Sequence, residues 1–370
     1  MVSNVSKAPT GGAARIMYSL RNEFLKLGHQ ADLIFIEDVP DPLRRCGLGN
    51  LTFPFFMLLP LWRFTRARGP YDIVNIQLLS GAVYAWLRTI SKRLPKCVGM
   101  SYGADELRWE MEKEEARLGL RPLGLKSRIL YYHLVIRQSR YTVRHADHVL
   151  TAAAAERVFF ESSYHMNPGR ISVIPFGVDP VFFIDRNYRR PATKLLFLGG
   201  WEWRKGIRYL IETFSAISEQ HPQITLSLAG TGQDERSVKA SFPKHLHSRV
   251  QVIPRIRPED LSRVYAEHDV FLFPSLFEGE PLVIPEAMAS GMPIVTTRTC
   301  GMQDAIEDDI SGFLVPPRNS EALGRRTLEL LRDPSLRERL GRAAQQRARD
   351  LTWDRIARQT IQIYRGITHR

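Results

Sequence analysis

Two glutamates separated by seven residues give the most specific chemical signal in the chain. They are Glu278 and Glu286, within the segment 274–293. The apolar run ending at Phe273 predicts a strand, and Pro281 predicts a helix start, since proline needs no amide partner there. Amides at a helix start bind anions. Glu286, about a turn and a half inside that helix, could accept hydrogen bonds from a diol. A structural role in capping the helix does not account well for the two glutamates, so we interpret them as functional.

A second candidate is Arg204-Lys205, in the segment 199–206 between a predicted strand and a predicted helix. The lysine ammonium is a point charge, and the planar guanidinium of arginine can donate two parallel hydrogen bonds. Together they are suited to binding a diphosphate. The alternative is a solvated basic turn, because exposed lysine and arginine are common.

Glycine turns supply the third set of candidates. Gly11 and Gly12 precede an amphipathic helix that carries Arg15, and they form either a phosphate or sugar contact or a plain turn. Gly230 and Gly232 end a strand and would admit a nucleotide. The chain lacks the GxGxxG fingerprint of dinucleotide enzymes after its first strand. The segment 300–304 follows another strand of the same half. Ligands of doubly wound sheets bind outside the carboxyl ends of the strands, so the loops at 230–232 and 300–304 should converge.

Short apolar runs alternate with helical periodicity along most of the chain, which predicts an α/β protein with two doubly wound parallel sheets. The predicted domains are 1–175, joined by a terminal helix at 352–370, and 192–351, with the connection inside 171–191. Strands are predicted at 31–36, 72–78, 96–101, 148–151, 194–199, 224–229, 250–253, 270–273, 293–296 and 313–315, and helices in the second half near 206–220, 258–268 and 281–291.

Length and composition fit this organisation. The 370 residues are 44% hydrophobic and 25% charged, as expected of two globular domains. Three widely spaced cysteines suggest neither disulfides nor a zinc site, and the polar N-terminus predicts no secretory signal. The longest apolar run, 51–62, is too short to span a bilayer. These features predict a cytoplasmic protein.

The net charge of +13 is uneven, since residues 1–190 contain 27 Lys and Arg against 17 Asp and Glu. Such an excess suggests an anionic partner: nucleic acid, an anionic membrane face or a phosphorylated acceptor. The run 51–62 leads into Arg63, Arg66 and Arg68, which is typical of a membrane-surface segment. The alternative is a core-facing helix with a solvated basic end. No nucleic-acid-binding module is recognisable.

Together these motifs resemble the retaining glycosyltransferases of family 4, which have the GT-B fold. The resemblance extends over nearly the whole chain: the glycine turn at Gly11, the interdomain segment 174–179, the pair Arg204-Lys205, the two glutamates and a terminal helix at 353–364. It implies two Rossmann-like doubly wound parallel-sheet domains facing across a cleft. The donor would bind in the second domain and the acceptor in the first.

The resemblance also implies roles for individual residues, with Glu278, Lys205 and Arg204 as the catalytic ones. Arg204 and Lys205 would neutralise the diphosphate of a UDP- or GDP-linked sugar, Glu286 would hold the ribose, and Glu278 would contact the sugar. No metal and no other cofactor is expected, and the chain has no Asp-x-Asp motif. The acceptor would be lipid-linked or a saccharide, with peripheral contact at the inner membrane face. Further donor contacts are expected at Gly230, Gly232, Gly279, Leu282, Val283, Gly11 and Gly12, and sugar-side contacts at Arg15, Tyr102 and Asp105.

The chain departs from the family pattern at three positions. Gly200 stands where an arginine is usual, Tyr102 where many members have histidine, and Phe176 where asparagine is usual. The first two leave open a second hypothesis, a catalytically silent protein that binds nucleotide-sugars or glycans. A dinucleotide-dependent oxidoreductase is a third, opposed by the missing fingerprint.

Overall fold

A computed structural model describes residues 1–8, 12–40, 42, 49–124 and 134–369. The chain divides into two compact units. The first comprises Met1–Phe176 with Trp353–Arg370, and the second comprises Gly177–Thr352. Each unit has its own hydrophobic core.

The first unit contains a parallel sheet in which the strands follow one another in chain order. Val2 forms parallel bridges to both Ile34 and Ile76. The segment at Val2, which is first in the chain, therefore lies between the segment at Ile34, which is second, and the strand that contains Ile76, which is third. That order is typical of flavodoxin-like sheets. The strands are β1 (Ile73–Gln77), β2 (Lys96–Met100), β3 (His148–Thr151) and β4 (Ile171–Val173).

The second unit contains a six-stranded parallel sheet. Its strands are β5 (Lys194–Leu198), β6 (Thr225–Ala229), β7 (Val250–Ile253), β8 (Val270–Phe273), β9 (Ile294–Thr297) and β10 (Phe313–Val315). Read across the sheet, the order is β7-β6-β5-β8-β9-β10, which is the 3-2-1-4-5-6 order of the Rossmann fold. The direction of winding reverses between β5 and β8, so a ligand is expected outside the carboxyl ends of these two strands.

The helices of the described residues alternate with the strands, as parallel sheets require. They are α1 (Gly12–Lys26), α2 (Gly49–Phe56), α3 (Leu58–Arg68), α4 (Ala82–Ile90), α5 (Asp105–Arg117), α6 (Arg137–His145), α7 (Ala154–Tyr164), α8 (Ile207–Gln220), α9 (Glu235–Lys239), α10 (Leu261–Glu267), α11 (Val283–Ala289), α12 (Cys300–Ala305), α13 (Ser320–Arg332), α14 (Pro334–Ala348) and α15 (Trp353–Thr368).

Apolar patterning explains why these elements form. All four residues of β8 are buried, as expected of a parallel strand covered on both faces. Helix α8 buries Leu210, Phe214 and Ile217, which recur at helical spacing along one stripe. Helix α15 contacts α1 and buries Ile356 in the first unit. The predicted α/β class with two parallel sheets is confirmed.

Three predicted elements differ from the structure. The range 31–36 is not a strand, because only Ile34 forms a bridge before a helical turn at Ile36–Asp38. The predicted connection 171–191 contains β4, and its residues from Gly177 onward belong to the second unit. Arg186 ties this segment to the second unit by donating hydrogen bonds to the carbonyl oxygens of Tyr265 and Ser290 at 2.7 and 3.1 Å. The helix predicted at 281–291 is shorter than expected.

Candidate active site

The loops that follow β5 and β8 meet at the topological switch point of the second sheet. The amide of Leu276 donates to the carbonyl oxygen of Arg204 at 2.8 Å, and the Ser275 hydroxyl oxygen lies 3.1 Å from the same carbonyl oxygen. This approach depends on Gly206, which has φ of +72° and whose absent Cβ would overlap the carbonyl oxygen of Pro274. Only glycine satisfies both conditions. The Arg-Lys turn is therefore fixed against the loop that carries Glu278.

Two cations converge on one carboxylate at this junction. The Nζ of Lys205 lies 2.6 Å from Oε1 of Glu278, and Nη1 of Arg204 lies 3.0 Å from the same oxygen. Ser275 donates a third hydrogen bond to that oxygen at 2.9 Å. The Lys205 ammonium also lies 5.1 Å from the ring centroid of Phe273, the last residue of β8. The structure thus brings together all three residues that we predicted to be catalytic.

The electrostatics of this cluster favour an ionised Glu278. Burial opposes ionisation of its carboxyl group, but Lys205 and Arg204 outweigh that penalty and hold the pKa of Glu278 below its usual value. Arg204 is shared with the exposed Glu202, 2.7 Å from its Nε. The two cations are thus balanced by two carboxylates, and a phosphate group would bind Lys205 and Arg204 in exchange for one of them.

The loop after β6 runs between the loop that carries Arg204 and Lys205 and the end of β7. The amide of Gly199 donates to Ala229 at 2.9 Å, and the amide of Gly230 donates to Ile253 at 2.8 Å. Gly230 and Gly232 have φ of +70° and +69°, a conformation that glycine adopts without strain. The loops at the carboxyl ends of these strands therefore lie side by side within the second unit, as expected.

Glu286 is buried, with 1% of its surface exposed. The Tyr265 hydroxyl donates to its Oε2 at 3.0 Å. Because α11 begins at Val283 with Leu282 as its N-cap, Glu286 lies in the first turn and not a turn and a half inside, and Pro281 precedes the helix. The helix has only seven residues.

The remaining predicted donor residues flank this helix. Leu282 is buried, and its carbonyl oxygen accepts from the amide of Glu286 at 3.1 Å. The carbonyl oxygen of Val283 lies 3.3 Å from the Tyr265 hydroxyl. A Cβ on Gly301 would overlap the carbonyl oxygen of Gly279, so the start of α12 packs directly on the loop between the two glutamates.

The predicted acceptor-side residues belong to the first unit, as do the predicted donor contacts Gly11 and Gly12. Gly12 is the first residue of α1 and Arg15 lies within that helix, whereas Gly11 lies outside the described residues. Asp105 is the first residue of α5. The ring of Tyr102 lies 5.9 Å from that of Phe176, and burial raises the pKa of its phenol.

A buried carboxyl group missed by the sequence analysis anchors the loop that carries Tyr102. Glu156 accepts hydrogen bonds from the amide of Ala104 at 2.6 Å and from the hydroxyl of Thr151. Burial raises the pKa of Glu156. Its position five residues after a predicted strand end was the available signal, but helix periodicity alone could not show that it points inward.

The first unit also contains a cavity of about 220 Å³. Its lining includes Val2, Asp32, Ile73 and Tyr364. Ile73 is the first residue of β1, so the cavity opens at the amino-terminal edge of the sheet. Ligands of doubly wound sheets bind at the opposite edge, and we therefore do not assign this cavity to sugar or nucleotide binding.

Known proteins resemble both units. Residues 10–182 match the family described as Glycosyltransferase Family 4, and residues 184–347 match Glycosyl transferases group 1. A glycogen synthase of Mycobacterium tuberculosis is 28% identical over 228 residues, which cover 60% of this chain and 55% of that protein. The chain spans between about half and two thirds of the length of such curated relatives.

Two solved structures share the fold along nearly the whole chain. Sucrose-phosphate synthase from Thermosynechococcus elongatus superposes with a TM-score of 0.78 at 21% identity, covering 99% of this chain and 98% of the other. HepE of Anabaena, solved in complex with UDP-glucose, has a TM-score of 0.72 at 15% identity and covers 99% of both chains. In the part of the chain that the structure describes, no helix is both long enough and apolar enough to cross a membrane.

Proposed function

We propose that this chain, which belongs to glycosyltransferase family 4 and has the GT-B fold, transfers a sugar from a nucleotide-sugar to a lipid-linked or saccharide acceptor in cell-envelope glycan synthesis. The observation that carries the proposal is the convergence of Lys205 and Arg204 on Glu278 at the switch point of the second sheet. That is where a doubly wound sheet binds its ligand.

The two cations would stabilise the leaving group. When the bond between the sugar C1 and the phosphate oxygen breaks, its electron pair stays on the nucleoside diphosphate. Lys205 and Arg204 would neutralise the charge that develops there, which is the interaction that lowers the barrier most. The acceptor oxygen forms the new bond to C1, and the acceptor proton leaves with the diphosphate. Metal-independent transfer follows if these cations suffice.

The two glutamates would divide donor recognition between them. Glu286 is buried beside Tyr265 at the start of α11, where its carboxylate can hold the ribose of UDP or GDP. Glu278 would contact the transferred sugar once the diphosphate occupies the cations. Gly230, Gly232, Gly279, Leu282 and Val283 would surround the nucleotide. Retention of the anomeric configuration is proposed from the family resemblance, and NMR of the product tests it.

The acceptor would bind to the first unit, where Arg15, Tyr102 and Asp105 are the proposed contacts, with Gly11 and Gly12 at the donor side. HepE in complex with UDP-glucose supports a nucleotide-sugar donor, and a named glycogen synthase among the relatives supports a saccharide acceptor. The excess of basic residues in the first half favours a lipid-linked acceptor at the inner membrane face.

The first experiment is a thermal melt against a panel of nucleotide-sugars, because a ligand that binds only the folded state raises the melting temperature. The best donor is then incubated with a membrane extract, and release of the nucleoside diphosphate is measured. Lys205→Ala and Arg204→Ala should each lower the rate about a hundredfold or more. Arg208→Ala, on the exposed side of α8, and Lys239→Ala, on α9, are the matched controls.

The outcomes separate the hypotheses. Equal rates in wild type and both site variants would refute the site assignment. Donor binding without turnover on any acceptor would identify a silent binding protein, the reading suggested by Gly200 and Tyr102. A melting shift with NAD or NADP in place of nucleotide-sugars would identify an oxidoreductase.

A further inference from the structure

Three neighbouring helices of the first unit expose large apolar side chains to solvent. Helix α2 contacts both α3 and α4. These helices carry every exposed tryptophan and phenylalanine among the described residues. Large exposed apolar side chains that occur together indicate an interaction surface. The surface, called here the α2–α4 face, includes Phe55, Leu59, Trp62, Trp86 and Ile90, whose exposed fractions range from 39% to 64%.

The spacing of these residues places them on the outer sides of their helices. Trp86 and Ile90 are four apart on α4, and Leu59 and Trp62 are three apart on α3, so each pair shares a helix face. The opposite side of α3 buries Pro60 and packs Leu61 and Phe64 against the core of the unit. The α2–α4 face is thus not the core-packing side of these helices.

The exposed charged side chains of these helices are basic, and two of their arginines are paired: Arg68 with Asp32 and the buried Arg88 with Asp147. Residues 49–104 contain seven Lys and Arg and a single acidic residue, Asp72. Arg63 and Arg66 are exposed on α3, and Lys92 and Arg93 are exposed just beyond α4. The guanidinium of Arg66 lies 5.3 Å from the ring centroid of Trp62, so apolar and basic groups are interleaved.

This combination matches an anionic lipid surface better than a protein partner. Tryptophan lies preferentially at the level of the lipid head groups, and basic residues beside it are attracted to anionic lipids. A protein interface is usually depleted of lysine in its contact area and has mixed charges around it. We propose that the α2–α4 face docks on anionic lipid bilayers, with Trp62 and Trp86 inserted at the head-group level. The proposal does not depend on the donor chemistry of the second unit.

Vesicle co-sedimentation tests the docking. The wild-type chain should sediment with phosphatidylcholine vesicles containing about a third phosphatidylglycerol, and not with phosphatidylcholine alone. High salt should weaken binding, because it screens the basic residues. Equal binding to both vesicles, or to neither, would overturn the proposal.

Two double variants distinguish the electrostatic attraction of the arginines to anionic lipid from the insertion of the tryptophans into the bilayer. Arg63→Glu with Arg66→Glu should weaken binding about tenfold or more. Its control is Arg325→Glu with Arg332→Glu, the same charge change on exposed α13 positions of the second unit. Trp62→Ser with Trp86→Ser should likewise weaken binding.

The control for the tryptophan pair is Val158→Ser with Ile310→Ser, which removes two other exposed apolar side chains. Equal losses in variants and controls would refute the assignment of this face. A wild-type dimer in light scattering that the tryptophan pair converts to a monomer would show a protein interface and also overturn the proposal. Donor-induced melting shifts should not change in these variants, so failure of lipid docking remains distinguishable from failure of the transferase assignment.

Discussion

The ammonium of Lys205 and the carboxylate of Glu278 form an ion pair of 2.6 Å, although the two residues are 73 positions apart in the sequence. The pair exists because Gly206 lets the loop after β5 approach the loop after β8. Glu278 contacts both of the cations that we propose bind the diphosphate. The acid would therefore compete with a phosphate group for Lys205 and Arg204.

Glu278→Gln should separate binding from turnover. Removing the competing charge should tighten binding of the free nucleoside diphosphate about fivefold, equivalent to ~1 kcal/mol for a partly buried pair. The turnover number should fall about a hundredfold, because the sugar loses its carboxylate contact. Calorimetry and steady-state kinetics measure the two effects. Glu212→Gln removes an exposed partner of Arg208 on α8 and should change neither. Unchanged diphosphate affinity in Glu278→Gln would show that the acid and the phosphate do not compete.

Gly206→Ala should lower the free energy of unfolding of the second unit by more than the cost of placing an alanine in this backbone conformation. A φ of +72° costs an alanine about 1 kcal/mol, and overlap with the carbonyl oxygen of Pro274 adds to it. Gly232→Ala is the matched control, since φ there is +69° and no described protein atom lies within 4 Å of its Cβ position. Urea denaturation should show the larger loss at Gly206. Equal losses would mean that the two loops separate at little cost.

Local sequence patterns predicted the strands of the second sheet well, because each is a short segment made mostly of apolar and β-branched residues. Val250–Ile253, Val270–Phe273 and Phe313–Val315 have the predicted bounds. The edge of the first sheet was not predictable in this way. Val2 joins the sheet through hydrogen bonds to distant residues, such as its amide to Asn75 at 2.8 Å, and no local periodicity encodes them.

The residues proposed to bind the substrate were easier to predict than the residues that hold them in position. Glu278, Lys205 and Arg204 were identified from residue type and spacing, and the structure places them within hydrogen-bonding distance. Ser275 and Tyr265, which hold the two glutamates, were missed because a hydroxyl has no signature until the fold places it. The available signal for Ser275 was its position, three residues before Glu278.

Stability should depend on pH through Glu156. Burial raises the pKa of this carboxyl group in the folded chain, so its contribution to stability is fully present below the pKa of the unfolded chain. The contribution is lost as the pH rises through the folded pKa. Glu156→Gln cannot ionise, so its stability relative to wild type should increase from pH 4 to pH 7, as measured by urea denaturation.

The control for that experiment is Glu161→Gln, the same change on the partly exposed side of α7, which reports the effect of the substitution itself. A relative stability of Glu156→Gln that does not vary with pH, or falls as the pH rises, would contradict burial of an uncharged carboxyl group. The loop that carries Tyr102 should keep its position in Glu156→Gln, because the amide oxygen can still accept from Ala104.

Tyr364→Phe tests how the terminal helix is held on the first unit. The side-chain amide of Asn75, buried within β1, donates to the Tyr364 hydroxyl at 2.6 Å. Removing the hydroxyl leaves a buried donor unsatisfied, which costs about 1–3 kcal/mol. The double variant Asn75→Val with Tyr364→Phe removes both partners and should recover part of that loss, as calorimetric unfolding would show. Tyr18→Phe, which removes an exposed hydroxyl from the carbonyl oxygen of Lys7, should cost less. A Tyr364→Phe variant as stable as wild type would mean that α15 is held by its apolar face alone.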